Sequence, residues 1–482
     1  MRFLSFLPFL LARLLCFPET AMAGFGFSWL LTLDFTVPSL GIFLTVDFGF
    51  SDLLFRIFPE FGNFLNSIDF FGELRYNPKQ KCNGGCIMIS REKYISEIRG
   101  FYDSDLVKVI TGVRRCGKSV ILEQIVKEIS KKTDNVIFLD FDDRAVTSEI
   151  EKWSDITDYV RKHRKDGLCY VFLDEVQEIA DWSVAVRSLR RENCSVFITG
   201  SNSKLLSREF TKELSGRYVS FRIRPFVYKE LEEYAEELGK SVSVTDYLIW
   251  GGFPKRIEFT TLAEQKRYLN DLDETIVVND IINRFKIRKS AEFKKLANFI
   301  LISNSRIYSS KSIADYMKSN GTAISDNTVQ KWIEYLAQAY IIDQIPRFSQ
   351  KAKKELEQSR KLYDSDVAFN SIRCRDNRFD LTHNMENVVY NELVFMGYSV
   401  SVFDNNGKEI DFFAEKDGMR FYVQVAYSVA EEKAYEREFG AFRNISQIDK
   451  KIIITNDEVD YSTSNVQHIK LKDFLKMNSL ND

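Results

Sequence analysis

Nowhere in this 482-residue chain is there an uninterrupted apolar run of the roughly 18 residues that a membrane span requires. Even in its most hydrophobic part, Arg13, Glu19, Asp34 and Asp47 cut the apolar stretches short, so a stable membrane partner is not expected. A surplus of either charge is also missing. Lys and Arg total 67 against 69 Asp and Glu, and the net charge of -2 gives no global pull toward nucleic acid. Such binding would have to come from a local patch. Cysteine is scarce: seven residues, an odd number in a chain this long, make no disulfide framework. Cys82 and Cys86 have no partner ligands at metal-site spacing, which argues against zinc. Cys116, Cys169 and Cys194 fall in or beside apolar segments and read as buried, reduced thiols of a cytoplasmic protein.

The first 87 residues differ from the rest. They hold 16 of the 40 phenylalanines and few charges. Their start, with Ala21-Met-Ala23, superficially suggests a secretory signal. Met88 to Tyr94 opens an ordinary amphipathic helix, so the expectation is a functional start at Met88 after an atypical extension, 1–87.

What is present is phosphate chemistry. Gly112-Val113-Arg114-Arg115-Cys116-Gly117-Lys118-Ser119, followed by Val120, reads G-x-x-x-x-G-K-S between an apolar run (106–110) and an amphipathic one (120–126). Strand, glycine-bounded loop and helix form the setting of a Walker A loop, whose backbone N–H groups wrap a polyphosphate. The glycines let the main chain approach closely. Lys118 would reach the β- and γ-phosphates of ATP, and Ser119 would offer its hydroxyl to Mg²⁺.

A second strand, Tyr170-Val-Phe-Leu-Asp174-Glu175, ends in two carboxylates 56 and 57 positions after the lysine. Asp174 at the sheet edge would hold Mg²⁺, and Glu175 would polarise an attacking water. A further strand, 195–198, leads to Asn202, a candidate for contacting the γ-phosphate and the water. Arg217, ahead of an alternating strand 219–223, is a candidate for neutralising charge on the phosphoryl group, in cis or from a neighbouring subunit of a homo-oligomer.

The order of these parts resembles the prokaryotic AAA-type ATPases in which a P-loop domain precedes a winged helix and a C-terminal restriction-endonuclease-like domain of unknown function. The residues that carry the likeness are 112–119, Phe172-Leu-Asp-Glu-Val-Gln177, Ile198 to Ser203, Leu214-Ser-Gly-Arg217, Trp250-Gly-Gly-Phe-Pro254 and Glu409-Ile-Asp-Phe412. The expected fold class is α/β: a doubly wound parallel-sheet P-loop ATPase (88–224), then a helical lid (225–290), a winged helix (291–365) and a small α/β restriction-endonuclease-like domain (366–482).

Within the winged helix, Val329, Trp332, Ile333, Leu336 and Tyr340 recur at helical spacing and should face the core. The stretch from Arg347 to Lys361 holds six Lys or Arg against two Glu and reads as a basic hairpin able to grip DNA phosphates. In the C-terminal segment the pattern is helix, three strands, helix, strand. The resemblance implies Mg²⁺ between Glu386 and Asp411, with an E/Q-x-K on the next strand. That strand reads Gln424-Val425-Ala426, with alanine in the lysine position, so a degenerate nuclease domain used for binding is expected. The function these residues predict is ATP binding and Mg²⁺-dependent hydrolysis, coupled to rearrangement of the C-terminal domains, on DNA. The alternatives are a nucleotide-gated binding protein and an ATP-regulated nuclease.

Overall fold

The computed structural model describes residues 88–143, 147–200, 214, 216–349, 360–405 and 407–481. The phenylalanine-rich segment and Asn202 lie outside the described residues, as do residues 350–359 of the basic stretch.

After helix α1 (Glu92–Arg99), the first half alternates β1 (Val107–Thr111), α2 (Lys118–Ile129), β2 (Val136–Asp140), α3 (Trp153–His163), β3 (Cys169–Asp174), α4 (Trp182–Arg191), β4 (Cys194–Gly200) and β5 (Tyr218–Arg222). All five strands are parallel, in the order β2-β3-β4-β1-β5. Strand side chains alternate between faces, and both faces here are apolar. Ile110, Phe172 and Phe197 point to the side covered by α1 and α2, through Ile98, Ile121, Leu122 and Ile125. Val109, Val171, Leu173 and Ile198 point to the side covered by α3 and α4, through Ile156, Val160, Val186 and Leu189. The sheet is therefore doubly wound, and the C-terminal ends of the parallel strands β1, β3 and β4 lie at one edge.

The chain continues through α5 (Tyr228–Glu237), α6 (Val244–Trp250) and α7 (Leu262–Thr275), the last running into a π-helical turn, Ile276–Asn283. The glycines after α6 are there for space. A Cβ on Gly251 would fall 1.6 Å from an Asp366 carboxylate oxygen, and one on Gly252 would fall 1.8 Å from the Phe226 carbonyl. Asp366 in turn accepts the Gly252 N–H (2.7 Å), which fastens this turn to the second half of the molecule.

Three helices, α8 (Ser290–Ile302), α9 (Ser310–Ser319) and α10 (Asp326–Gln338), pack with a small sheet of β6 (Ile307–Tyr308), β7 (Ile342–Ile345) and β9 (Arg360–Asp364), in the order β6-β9-β7. Ser325 caps α10 by accepting the Thr328 N–H (3.2 Å). Val329, Trp332, Ile333, Leu336 and Tyr340 are all buried, as their spacing requires.

The described ends of the basic stretch are tied into two sheets. After Pro346 the chain leaves the three-stranded sheet, and β8 (Arg347–Ser349) pairs in parallel with β10 (Ser399–Asn405) of a different one. Arg347 lies 3.6 Å from Asp404, and Lys361 is buried among carboxylates. Two of the six expected phosphate-gripping cations are thus neutralised inside the protein, because strand pairing outweighs charge-run solvation here.

The last sheet, β14-β13-β12-β11-β10-β8, adds β11 (Lys408–Lys416), β12 (Met419–Ala426), β13 (Lys450–Thr455) and β14 (Gln467–Lys470). Helices α11 (Leu381–Phe395) and α12 (Glu432–Gly440) accompany it. Helix α11 is buried from Asn384 through Leu393, so its polar side chains all need internal partners. Asn387 exchanges two hydrogen bonds with the Asp364 backbone (2.7 Å each), and Asn391 accepts from Arg224 (3.0 Å). Glu392 accepts the Tyr228 N–H (3.0 Å).

Burial pushes the Glu392 carboxyl up to about 8 from an ordinary 4.5. Its folded value exceeds its unfolded one, so this group's contribution to stability is complete below about 4.5 and is lost as pH rises through about 8. Glu392→Gln, which mimics the protonated acid, is expected to match the wild-type Tm near pH 5 and exceed it at pH 9. Thermal melts across that range check this; parallel curves would remove the assignment.

Candidate functional site

The loop between β1 and α2 is closely fitted. Gly112 has φ 146°, and a Cβ there would sit 2.2 Å from the Ile223 carbonyl and 2.9 Å from Cys116 Sγ. Gly117, with φ 98°, caps α2 in left-handed backbone. No alanine could replace Gly112 without moving the end of β5. Val113 and Cys116 are buried, and burial pushes the Cys116 thiol up. Arg115 takes a positive φ of 66°, and Ser119 and Val120 lie in the first turn of α2. Arg114 forms a two-pronged pair with Asp280 (3.0 and 3.1 Å) of the π-helical turn, which holds its guanidinium above its ordinary range. The π-helical turn thereby touches the 112–119 loop directly.

The acid-tipped strand reaches the same place. Lys118 Nζ lies 3.7 Å from Glu175 Oε1 and also donates to the Gly112 and Val113 carbonyls (3.4 and 3.3 Å). Asp174, 2% exposed, accepts from the Thr199 hydroxyl at the end of β4, and the Ser119 hydroxyl also bonds to it. The same Thr199 oxygen accepts the Glu175 N–H (2.9 Å). Since β4 runs between β1 and β3, Thr199 ties the Asp174 carboxylate and the Glu175 backbone to the central strand. Thr199 is thus the polar residue that the described part of β4 brings to the site, whereas Asn202, expected there from sequence, lies outside the described residues. Burial pushes Asp174 up to about 6. Glu175 sits in left-handed backbone (φ 49°), a conformation that costs a non-glycine residue about 1 kcal/mol and clusters at functional sites.

These residues fit Mg²⁺ held together with a polyphosphate. Among the described residues no group of three or more His, Cys, Asp or Glu could hold a metal alone. One carboxylate, Asp174, and one hydroxyl, Ser119, with phosphate oxygens completing the shell, is the kind of set Mg²⁺ accepts. A cation there would offset the burial cost that raises Asp174.

Two further groups hold the site and went unnoticed in the sequence. Arg91, 2% exposed, pairs with Glu230 (2.7 and 2.9 Å) and donates to the carbonyls of Cys116 and Arg224 (3.0 Å each), bracing the loop from behind. Arg222 and Arg224, on either side of Ile223, both pair with Asp343 of β7, and Asp343 is held below the usual carboxylate range by the two guanidiniums despite its burial. These partners are 139, 121 and 119 positions apart, so no local pattern announces them.

Arg217 does not reach the site of its own chain. The register Val107↔Tyr218 and Thr111↔Arg222 places it at the opposite end of the sheet, about 16 Å along the strand from the loop. It is exposed, and only its backbone is used there, accepting the Val107 N–H (3.0 Å). The reading in cis is therefore corrected: a parallel strand that begins beside β1's start cannot deliver its first residue to β1's end. Arg256 is likewise structural, fully buried against Asp246, Gln265 and the Gly251 carbonyl.

In the C-terminal sheet, Glu386 and Asp411 do meet, but around an ammonium. Lys361 Nζ of β9 lies 2.6 Å from Glu386, 2.8 Å from Glu409 and 3.4 Å from Asp411. The lysine missing from β12 is thus replaced by one from a different sheet. Gln424 accepts the Asp411 N–H (3.3 Å) and donates to Glu438 (2.7 Å). With the ammonium between the acids, the residues do not fit the Mg²⁺ that the resemblance implied.

Comparison with known proteins agrees with this architecture. Residues 104–232 match the model of an AAA domain, 242–372 that of a domain of unknown function, DUF8612, and 381–474 that of another, DUF4143. An uncharacterized protein of Haemophilus influenzae is 30% identical over 382 residues, covering 76% of this chain and 93% of its own. The uncharacterized protein MJ1544 of Methanocaldococcus jannaschii is 30% identical over 380 residues, covering 73% and 82%. Among solved structures, RuvB of Thermotoga maritima matches at 15% identity and a TM-score of 0.29 over 56% of this chain and 95% of that one. The chain belongs to the family of AAA-type P-loop ATPases that carry a C-terminal domain of unknown function.

Proposed function

We propose that this protein binds ATP with Mg²⁺ between the 112–119 loop and the Asp174–Glu175 strand end, hydrolyses it, and uses the cycle to shift its C-terminal half. The observation that carries this reading is the convergence of Lys118 and Glu175 to 3.7 Å beside Asp174. Lys118 and the loop N–H groups would bind the phosphates, Ser119 and Asp174 would hold the metal, and Glu175 would accept the proton of the attacking water. Bound Mg²⁺ supplies charge neutralisation on the phosphates. Glu175 and the nucleotide compete for Lys118, so phosphate binding releases the carboxylate to face water.

Movement would pass to the second half along the contacts already described: Asp280 on Arg114, and Asp343 on Arg222 and Arg224. Both are charged contacts made by the loop or its neighbouring strand. DNA is the proposed substrate of that movement, contacted by the outward polar face of α10. Cytoplasmic residence follows from the need for ATP. Phosphate release from ATP, measured with and without Mg²⁺ and with and without duplex DNA, tests the proposal. Turnover that needs Mg²⁺ supports catalysis, and stimulation by DNA supports the coupling. No turnover in any arm would leave the loop as a binding site only.

A further inference from the structure

One buried hydroxyl beside the phosphate loop has no use in the packing around it. Tyr340 follows α10 in left-handed backbone (φ 59°) and is 8% exposed. Its hydroxyl proton finds no acceptor of hydrogen-bonding geometry among the described residues, although the Thr111 side chain lies close to its oxygen. A buried hydroxyl whose proton has no acceptor is costly, and so is a non-glycine residue in left-handed backbone. A phenylalanine would avoid the first cost without loss of packing, so the oxygen asks for a partner from outside the protein.

The surroundings say which kind. The Arg222 guanidinium lies over the Tyr340 ring, 5.0 Å from its centroid. Burial pushes the Tyr340 hydroxyl up, while the Thr111 side chain beside it and the charges of Arg222, Lys118 and Arg284 draw it toward its ionised form. Thr111 is the last residue before Gly112, and its own hydroxyl also reaches the Phe221 carbonyl (3.5 Å). A neutral donor set among cations, at the lip of an anion cradle, matches a phosphate oxygen. The loop's own N–H groups wrap the inner phosphates. A donor carried by a different module, which still feels the Lys118 charge, is placed for the outer one.

We propose that the Tyr340 hydroxyl donates a hydrogen bond to the terminal phosphate of a bound nucleoside triphosphate, so that the module carrying α10 and β7 registers the presence of the third phosphate. This rests on reading the 112–119 loop as the nucleotide site. Tyr340 stands three residues before Asp343, which both Arg222 and Arg224 grip, so gain or loss of one phosphate contact would act on the same short segment that those ion pairs hold.

The test is Tyr340→Phe in the full chain, titrated by calorimetry with a non-hydrolysable ATP analogue and with ADP, beside wild type and Lys118→Ala. The expected result is about a tenfold loss of affinity for the triphosphate, about 1.4 kcal/mol. ADP affinity should stay within about twofold, and the Tm of the nucleotide-free protein should be unchanged or higher. Equal losses for both nucleotides, no loss for either, or a lowered nucleotide-free Tm would each overturn the proposal. If wild type and Lys118→Ala bind nucleotide equally, or neither binds, it is the reading of the loop that fails, and this inference goes with it.

Discussion

Glu175→Gln is expected to cut ATP turnover by about 100-fold or more while leaving ATP affinity equal to wild type or higher. The amide keeps the size of the side chain but cannot accept a proton from water. It also gives up the charge that lies 3.7 Å from Lys118, so the lysine becomes more available to phosphate. Lys118→Ala removes the ammonium bonded to the Gly112 and Val113 carbonyls and should abolish measurable nucleotide binding altogether. The two variants therefore separate: one binds without turning over, the other does neither. Fluorescent-nucleotide titration and phosphate release on the same preparations read both. A Gln variant with wild-type turnover would move the base elsewhere, and Asp142, raised by burial with Glu175 nearby, would be the next carboxylate to examine.

The ATPase half was legible because its signals are local. A five-residue apolar strand, a glycine-bounded loop and an amphipathic helix occupy consecutive residues, and each dictates its own backbone. Parallel strands announce themselves as unbroken apolar runs because both of their faces are covered. What the sequence hid are partners brought together by pairing between distant segments. Arg91 reads as one more charge at the start of an amphipathic helix, yet it is fully enclosed against Glu230. Arg217 looked like a site residue because it follows a recognisable motif; only the strand register shows it at the wrong end of the sheet. The basic run 347–361 reads as one hairpin, and composition cannot say that residues 347–349 pair with β10 of a second sheet. The absence of a lysine at the end of β12 is visible in the sequence, but the ammonium beside Glu386 comes from 63 positions before Gln424, on a strand with no reason to look catalytic.

That ammonium carries the second large prediction. Lys361 is 4% exposed and sits within 3.4 Å of three carboxylates from α11 and β11. Tyr363, on the same face of β9, donates to Glu386 as well (2.6 Å) and stacks on Tyr390 with ring centres 4.5 Å apart. The three carboxylates hold the ammonium above its ordinary range, while burial raises both Glu386 and Asp411. Lys361→Met keeps the stem's volume and deletes the charge. It strands acids that burial already disfavours in their ionised form, and breaking such a buried pair costs about 3–5 kcal/mol. The loss should deepen with pH: at low pH the stranded acids can be protonated in the folded state, and as pH rises they must either ionise uncompensated or stay protonated against the solvent. Urea midpoints of wild type and variant should therefore lie closer at pH 5 than at pH 8. Adding Glu386→Gln to the methionine variant should recover part of the gap, because one of the stranded charges is gone. A methionine variant as stable as wild type across that range would show that the ammonium is not what joins β9 to the C-terminal sheet. The shared aromatic stack of Tyr363, Tyr390 and Phe412 would then be left to hold the two sheets together.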